Sequence, residues 1–153
     1  MKVSKDKIQK LAKERVEKTL SVDEIIRRDV KMNRSKVSFE ERKERLENLA
    51  KRGARFIRLG NTIFTITGIE NNVVEFHVVN GDARENYLVN LTAFFSFLKS
   101  RGIELAQTAV KDLRALGGLK IEDLPDYFTV YETKSGPAQY EIDIDLTRFG
   151  SES

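Results

Sequence analysis

The chain has 153 residues, which suits one domain with an appended segment, and its 27 Lys/Arg and 24 Asp/Glu give a net charge of +3. The absence of cysteine excludes disulfides, thiolate metal sites and cysteine nucleophiles, and a single histidine, His77, argues against a histidine-based metal site. No apolar run approaches the roughly 20 residues that span a bilayer, and no apolar core follows the basic N-terminus as in a signal peptide. We therefore expect a soluble protein made in a cytosol, with no cofactor, no metal and no membrane contact.

The charge is distributed unevenly along the chain. Residues 1–53 hold 17 Lys/Arg against 10 Asp/Glu, a net +7, and residues 54–153 hold the other 10 basic and 14 acidic residues, a net −4. A basic segment on an acidic body is typical of proteins that dock on nucleic acid or on acidic protein surfaces. The alternative is a solvated helix face, because the charges of the first segment are mixed in sign.

The first 53 residues, called the arm below, predict three short helices. Residues 3–20 place apolar side chains on a loose 3.6-residue period. The patterns Ser21-Val-Asp-Glu24 and Ser38-Phe-Glu-Glu41 are capping boxes that begin a second and a third helix, and Gly53 suits a left-handed C-terminal cap. Because the apolar stripes are thin, we expect these helices to be stable only against the body of the protein or a partner.

From Ala54 onward the apolar period changes from 3.6 to 2, which predicts strands. Turns at Gly60-Asn61 and Glu70-Asn71-Asn72 divide the first strands into a three-strand meander. A helix with an apolar stripe from Leu88 to Leu98 follows, and then a strand that we expect to run parallel to the one before the helix. A short helix and a final hairpin complete an α+β domain over residues 54–150, with a mixed sheet and helices on its faces (further elements at 103–110, 112–116, 128–133 and 139–146).

This order of elements resembles the GNAT acetyltransferase fold. The resemblance is carried by Val73–Val79 followed by Leu88–Leu98, and by Ala106–Val110 followed by Asp112–Gly118. It implies that a central strand feeds a helix whose N-terminus grips the pyrophosphate of acetyl-CoA, and that a later strand leads to a short helix ending in glycine. The chain is also similar to small GNAT-like proteins of tailed bacteriophages, some of which are virion components.

This chain differs from the family in the pyrophosphate-binding loop. The family loop has the form Arg/Gln-x-x-Gly-x-Gly/Ala, whose glycines let the backbone approach phosphate oxygens. Here Asn80–Tyr87 occupies the place, with one glycine and two carboxylates, Asp82 and Glu85, that would repel a pyrophosphate. Arg84 is the one helpful charge in the segment. The sequence therefore favours a protein that is not an enzyme.

The catalytic residues of the family are not recognisable either. Its general-acid tyrosine lies four residues before the glycine that closes the short helix, and Leu113 or Arg114 stands there. One candidate base remains, because Glu75 and His77 share a strand face at i and i+2. A carboxylate beside an imidazole can polarise an amine. The alternative is an ion pair on an edge or a partly exposed face.

An aromatic cluster near the C-terminus has two interpretations. It indicates either a stacking platform for bases or packing within a hairpin, in which Tyr131 and Tyr140 form a cross-strand pair. The cluster consists of Tyr127, Phe128, Tyr131 and Tyr140.

An acidic alternation follows, with Glu141, Asp143 and Asp145 on one strand face. Three aligned carboxylates suit a hard cation. The alternatives are a solvated edge that blocks aggregation, or a surface that meets a basic partner, including the arm itself.

Together these patterns predict a non-enzymatic bacteriophage structural or assembly protein that docks on other virion proteins, in multiple copies, through its arm. We expect it in the host cytoplasm and then in the virion, with DNA contact through the basic arm as a further option. The alternatives are a divergent N-acetyltransferase that uses Glu75 or His77, and a nucleic-acid-binding module led by residues 2–52. The residues expected to bind the partner are Ile25, Ile26, Arg27, Arg28, Leu46 and Leu49.

Overall fold

The computed structural model describes residues 19–32, 37–110, 124–133 and 140–150. The short helix predicted at 112–116, the turn at 134–137 and most of the helix predicted at 3–20 lie outside these ranges. Within them, no helix is long and apolar enough to cross a bilayer. The described elements are α1 (Val22–Met32), α2 (Phe39–Lys51), β1 (Arg55–Leu59), β2 (Thr62–Glu70), β3 (Val73–Asn80), α3 (Arg84–Ser100), β4 (Leu105–Val110), β5 (Phe128–Glu132) and β6 (Tyr140–Asp145).

The six strands form one mixed sheet in the order β1-β2-β3-β4-β6-β5. Neighbouring strands are antiparallel except β3 and β4, which are parallel because α3 connects them. This confirms the predicted α+β class and the predicted parallel pair. The parallel ladder is short: it joins Val73–Glu75 to Leu105–Gln107, and the rest of β3 pairs with β2 alone.

Residues that tolerate a positive φ close the first two hairpins. The two-residue turn between β1 and β2 is Gly60-Asn61, where Gly60 has a φ of +59°. The turn between β2 and β3 is Asn71-Asn72, with φ values of +49° and +66°. Asparagine reaches this left-handed region more easily than other residues with side chains. The first predicted turn is confirmed. The second is confirmed at Asn71-Asn72, whereas Glu70, which the prediction includes in the turn, is the last residue of β2.

Side-chain caps begin the first two helices, as the sequence predicts. The Ser21 Oγ accepts a hydrogen bond from the Glu24 amide at 3.2 Å, and the Ser38 Oγ accepts one from the Glu41 amide at 3.2 Å. Gly53 follows α2 with a φ of +87°. Each serine cap contributes about 1 kcal/mol to helix stability.

The main core lies between α3 and one face of the sheet. The Phe94 ring stacks on Phe64 of β2 at a centroid distance of 4.1 Å and meets Phe76 of β3 at 5.3 Å. The predicted apolar stripe of α3 supplies this core, which confirms the helix. Other buried members come from α3, β4, β6 and the residues after it: Tyr87, Leu91, Phe95, Leu98, Ala106, Ile142, Ile144, Leu146 and Phe149.

A second, smaller core lies on the opposite face of the sheet, under α1. Ile25 and Ile26 are 0% and 1% exposed, and they cluster with Ile63 of β2 and Val79 of β3. Burying one such side chain contributes about 1.5–3 kcal/mol. In this fold α1 therefore shares a core with strands that lie beyond the predicted boundary at residue 53.

The last hairpin has a different register from the one the sequence suggests. Tyr131 lies opposite Glu141, and Tyr140 lies opposite Glu132. Because successive side chains of a strand point to opposite faces, Tyr131 and Tyr140 lie on opposite faces of the sheet. The predicted cross-strand tyrosine pair is wrong. The interpretation of β6 as a solvated edge is wrong as well, because β6 lies between β4 and β5.

Truncation of Ile25 to alanine should lower the free energy of unfolding by about 2–5 kcal/mol, because the side chain is enclosed between α1 and the sheet. Val22 is on the same helix but 49% exposed, so Val22→Ala should change that free energy by less than about 0.5 kcal/mol. Urea unfolding followed by circular dichroism measures both. Similar small effects for the two variants would mean that α1 does not pack on the sheet.

Candidate functional site

The family resemblance predicts a phosphate-binding site in the turn between β3 and α3. In the structure this turn contains the carboxylate of Asp82. Asp82 Oδ2 accepts hydrogen bonds from the Asn61 amide at 2.9 Å and from Asn90 Nδ2 at 2.8 Å. Its Oδ1 accepts from Asn61 Nδ2 at 3.0 Å. Three donors converge on one carboxylate, and such charge-assisted hydrogen bonds are stronger than neutral ones.

Asn61 connects this turn to the β1–β2 hairpin and to the chain that enters α1. Its Oδ1 accepts from the Leu20 amide at 3.0 Å and from Arg58 Nη2 at 3.0 Å. Its carbonyl accepts from the Gly81 amide at 2.8 Å. Since the residue is only 9% exposed, water is not a ready substitute for these partners.

Thr62 and Asn80 extend the hydrogen bonds across β2 and β3. The Thr62 hydroxyl donates to Asn80 Oδ1 at 2.8 Å and accepts from Asn90 Nδ2 at 3.0 Å. Asn80 also accepts from the Asp82 amide and donates to the Asp82 carbonyl, both at 3.0 Å. We call Asn61, Thr62, Asn80, Asp82 and Asn90 the Asp82 network.

The Asp82 network requires glycine at position 60. A Cβ there would lie 2.9 Å from Asn90 Nδ2 and 3.0 Å from Asp82 Oδ2, and the φ of +59° disfavours any side chain. Both the backbone conformation and the available space therefore exclude a larger residue.

Helix α1 crosses directly over the same turn. A Cβ at Gly81 would lie 3.1 Å from the Ile25 Cα. Asp29 of α1 is 2% exposed, and its Oδ1 accepts from the Asn80 amide at 2.9 Å. Its Oδ2 lies 3.7 Å from Arg42 Nη2 of α2, so this one carboxylate links the two described helices of the arm to the end of β3.

These contacts indicate that the turn has a structural role: it connects the β1–β2 hairpin, α1 and α3. A phosphate at the N-terminus of α3 would lie beside the Asp82 carboxylate, and two like charges 4 Å apart near a protein surface repel by about 4 kcal/mol. Arg84 and Glu85, at the start of α3, are exposed. The N-cap residue of α3, Ala83, makes no side-chain cap, so the opposition to an anion at this N-terminus comes from the charge of Asp82.

Glu75 and His77 share one face of β3, as predicted. Glu75 Oε1 lies 3.8 Å from His77 Nε2, and the two side chains are 62% and 31% exposed. Glu75 lies in the part of β3 that pairs with both β2 and β4, whereas His77 lies in the part that pairs with β2 alone. The pair is therefore on a partly exposed face, at the point where the ladder to β4 ends.

The surroundings keep the His77 imidazole neutral. Burial lowers the pKa of His77, the guanidinium groups of Arg45 and Arg42 lower it further, and the Glu75 carboxylate opposes them. A neutral imidazole is able to accept a proton. The lowered pKa of His77 therefore favours its form as a base, although the turn beside α3 has no phosphate grip.

A polar row crosses the sheet at the level of Glu75. Glu75 pairs with Gln107 of β4, which pairs with Asp143 of β6, and Gln107 Nε2 donates to Asp143 Oδ1 at 3.3 Å. Burial raises the pKa of Asp143, and the hydrogen bond from Gln107 opposes that shift. In the part of the chain that the structure describes, no three His, Cys, Asp or Glu side chains are grouped as a metal site would require.

The arm residues expected to bind a partner have contacts within this chain. Ile25 and Ile26 lie in the second core. The Arg27 guanidinium stacks 4.4 Å from the centre of the Phe39 ring, and Arg28 Nη1 donates to the Gly81 carbonyl at 3.4 Å. A partner cannot reach the two isoleucines unless α1 leaves the sheet.

The two leucines of α2 are more accessible. Leu46 is half-buried and packs against the second core, and Leu49 is half-buried outside that cluster. No residue of α2 is buried. This helix therefore presents most of its surface outward.

The sequence reading missed Asn61, Asn90 and Asp29. The signal for two of them was present, because Asn90 lies next to Leu91 within the apolar stripe of α3, and Asp29 follows Ile25 at helical spacing. A polar residue on a buried face usually has a specific partner. The partner itself is not visible in a local pattern.

No protein-family model matches the chain, and no curated protein sequence matches it.

Replacement of Asp82 by alanine should lower the free energy of unfolding by about 3 kcal/mol, because Asn61 and Asn90 lose the acceptor of three hydrogen bonds. The control is Glu85→Ala, an exposed carboxylate three residues later, which should cost less than about 1 kcal/mol. Urea unfolding compares the two. Equal costs would show that the Asp82 network does not hold the fold.

The lowered pKa of His77 predicts a pH dependence of stability. The unfolded chain binds a proton at His77 near pH 6.5 and the folded chain only at lower pH, so stability should fall as the pH decreases below 6.5. His77→Gln should reduce this slope. Thermal unfolding across that range measures it, and an unchanged slope in the variant would assign the dependence to other groups.

Proposed function

We propose that the protein is a non-enzymatic docking protein with a GNAT-like fold, a structural or assembly component of a bacteriophage virion that binds other virion proteins through its helical arm. Connectivity supports the likeness in fold: an antiparallel meander, a helix, a parallel strand and a final hairpin follow in that order. Phage origin follows from the resemblance described above.

The observation that carries the non-enzymatic part is the occupied turn before α3. The Asp82 carboxylate stands where an acetyl-CoA pyrophosphate would be gripped, and Asn61 and Asn90 hold it there. Moving the carboxylate aside would break three hydrogen bonds to buried groups. Fold alone does not imply activity, and this site lacks the cofactor grip of the family.

Charge and exposure favour a protein partner for the described helices of the arm. Helix α1 carries three basic and three acidic residues and helix α2 carries four of each, so both are neutral overall. A phosphate backbone attracts a net positive surface, whereas a protein groove accepts mixed charge around apolar anchors. Helix α2, which has no buried residue, is the surface we assign to docking.

Isothermal calorimetry with acetyl-CoA tests the non-enzymatic part. We expect no binding in the low-micromolar range, because a pyrophosphate would meet the Asp82 carboxylate. Low-micromolar binding would contradict the proposal. In that case the alternative is an N-acetyltransferase, favoured by the 3.8 Å approach of Glu75 and His77, and loss of turnover in Glu75→Gln would support it.

Mass spectrometry of purified phage particles tests the docking part. Particles from a phage that encodes this chain should contain it in several copies. Leu49→Asp on α2 should reduce incorporation, because a new charge would lie in the proposed interface. Val89→Asp, an equivalent change at a 54% exposed position of α3, serves as the matched control and should be incorporated normally. Particles that lack the wild-type chain would contradict the proposal.

A further inference from the structure

The half of the sheet beside the second core has an open acidic face. The alternation of side chains and the pairing register place these residues on the same side of the sheet as α1. Helix α1 covers the neighbouring part of that side, over β2 and the end of β3. We call this surface the acidic face, and its members are Val73, Glu75, Leu105, Gln107, Ala109, Thr129, Tyr131, Glu141, Asp143 and Asp145.

The described helices leave the acidic face uncovered. Helix α3 packs on the opposite side of the sheet, α1 packs over Ile63 and Val79, and α2 reaches only the end of the face, where Arg45 and Arg42 lie near His77. Tyr131 is 49% exposed and the Glu75 side chain is 62% exposed. The ten residues of the face include four carboxylates and no Lys or Arg. Arg148 lies near Asp145, and Arg45 and Arg42 lie near His77 beside Glu75. The remaining carboxylates, Glu141 and Asp143, leave the centre of the face acidic, which favours a cationic segment that also carries some apolar surface.

A basic segment of the same chain directly precedes a residue that is fixed on this side of the sheet. Leu20 packs against the second core, and its amide is bonded to Asn61, so its position is fixed on the same side as the acidic face. Residues 1–18, which lie outside the described ranges, hold seven Lys/Arg against three Asp/Glu, a net +4. Their sequence predicts a loose apolar stripe with Ile8, Leu11 and Val16.

We propose that residues 1–18 dock on the acidic face of their own chain. The distance allows it: β2 and β6 are three strand spacings apart, about 15 Å, and 18 residues span about 27 Å even as a helix. The +4 charge matches the four carboxylates, and the apolar stripe meets Val73, Leu105 and Tyr131.

Tethering favours this occupant over a separate molecule. A segment joined to the surface through Leu20 is present at an effective concentration in the millimolar range, far above that of a second copy or of a free basic peptide. The contact does not depend on the proposed function, because it requires only this chain. It has the consequence that a basic partner reaches the acidic face only by displacing residues 1–18.

Paramagnetic relaxation in the full-length chain tests the docking. Since the chain has no cysteine, Ser4→Cys carries a single nitroxide label. We expect the amide signals of Gln107, Ala109 and Asp143 to lose most of their intensity at low salt. The signals of Lys51 and Val89, which lie away from this face, should keep theirs.

The combined substitution Glu75→Gln/Glu141→Gln/Asp143→Asn should restore the lost intensity, and so should high salt, because screening weakens exposed charge pairs. Glu40→Gln/Glu44→Gln/Glu47→Gln, three exposed carboxylates on α2, is the matched control and should leave the broadening unchanged. Broadening that is absent, centred on α2, or insensitive to the first substitution would overturn the proposal. A further sample mixes spin-labelled chains with separate, isotopically enriched chains. If the broadening arises only between separate chains, the proposal is overturned, and the occupant of the acidic face is a second copy.

Discussion

One carboxylate, that of Asp82, joins three parts of the chain that are distant in sequence. The β1–β2 hairpin supplies Asn61, the end of β3 supplies the turn, and α3 supplies Asn90. Asp82 is half-buried, and its donors Asn61 and Asn90 are buried, so each of these segments supplies hydrogen-bond partners that the others need. Gly60 has to be small for the same reason, since any Cβ would meet two members of the Asp82 network. Helix α1 then fits over the finished turn, with Asp29 bonded to the Asn80 amide.

The same constraint bears on function. The N-terminus of a helix attracts anions, and in the GNAT fold proposed for this chain that attraction would hold a cofactor phosphate. Here the Asp82 carboxylate lies two residues before α3 and accepts from Asn61 and Asn90, so its charge would repel a phosphate at that place. The acidic face and helix α2, which has no net charge and no buried residue, are then the surfaces available for binding other protein segments. The proposed docking role needs no cleft with converging catalytic groups, and the Glu75–His77 pair lies on a partly exposed face of the sheet.

Local chemistry made much of the fold predictable from the sequence. Serine caps, asparagine and glycine turns and the aromatic stripe of α3 depend on residues within a few positions of each other, and each was found where expected. Contacts across the chain were not predictable in this way. Asn61 and Asp82 are 21 residues apart, and nothing in either neighbourhood specifies the other. The β5–β6 register differs by one residue from the expected one, which is enough to place Tyr131 and Tyr140 on opposite faces. The sequence predicts that the apolar residues Ile25 and Ile26 bind a partner. In the structure they are buried against the sheet of their own chain.

Native-state hydrogen exchange tests most directly whether the Asp82 network locks the turn. The amides of Asn61, Asn80 and Gly81 donate to Asp82, Asp29 and Asn61 respectively, all at the tip of the sheet where turns normally exchange fast. If the network holds the fold together, these three amides open only with the whole domain, and their exchange free energies equal the global free energy of unfolding. Exchange at the rates of an exposed turn, while the amides of Phe76 and Phe94 stay protected, would contradict the account.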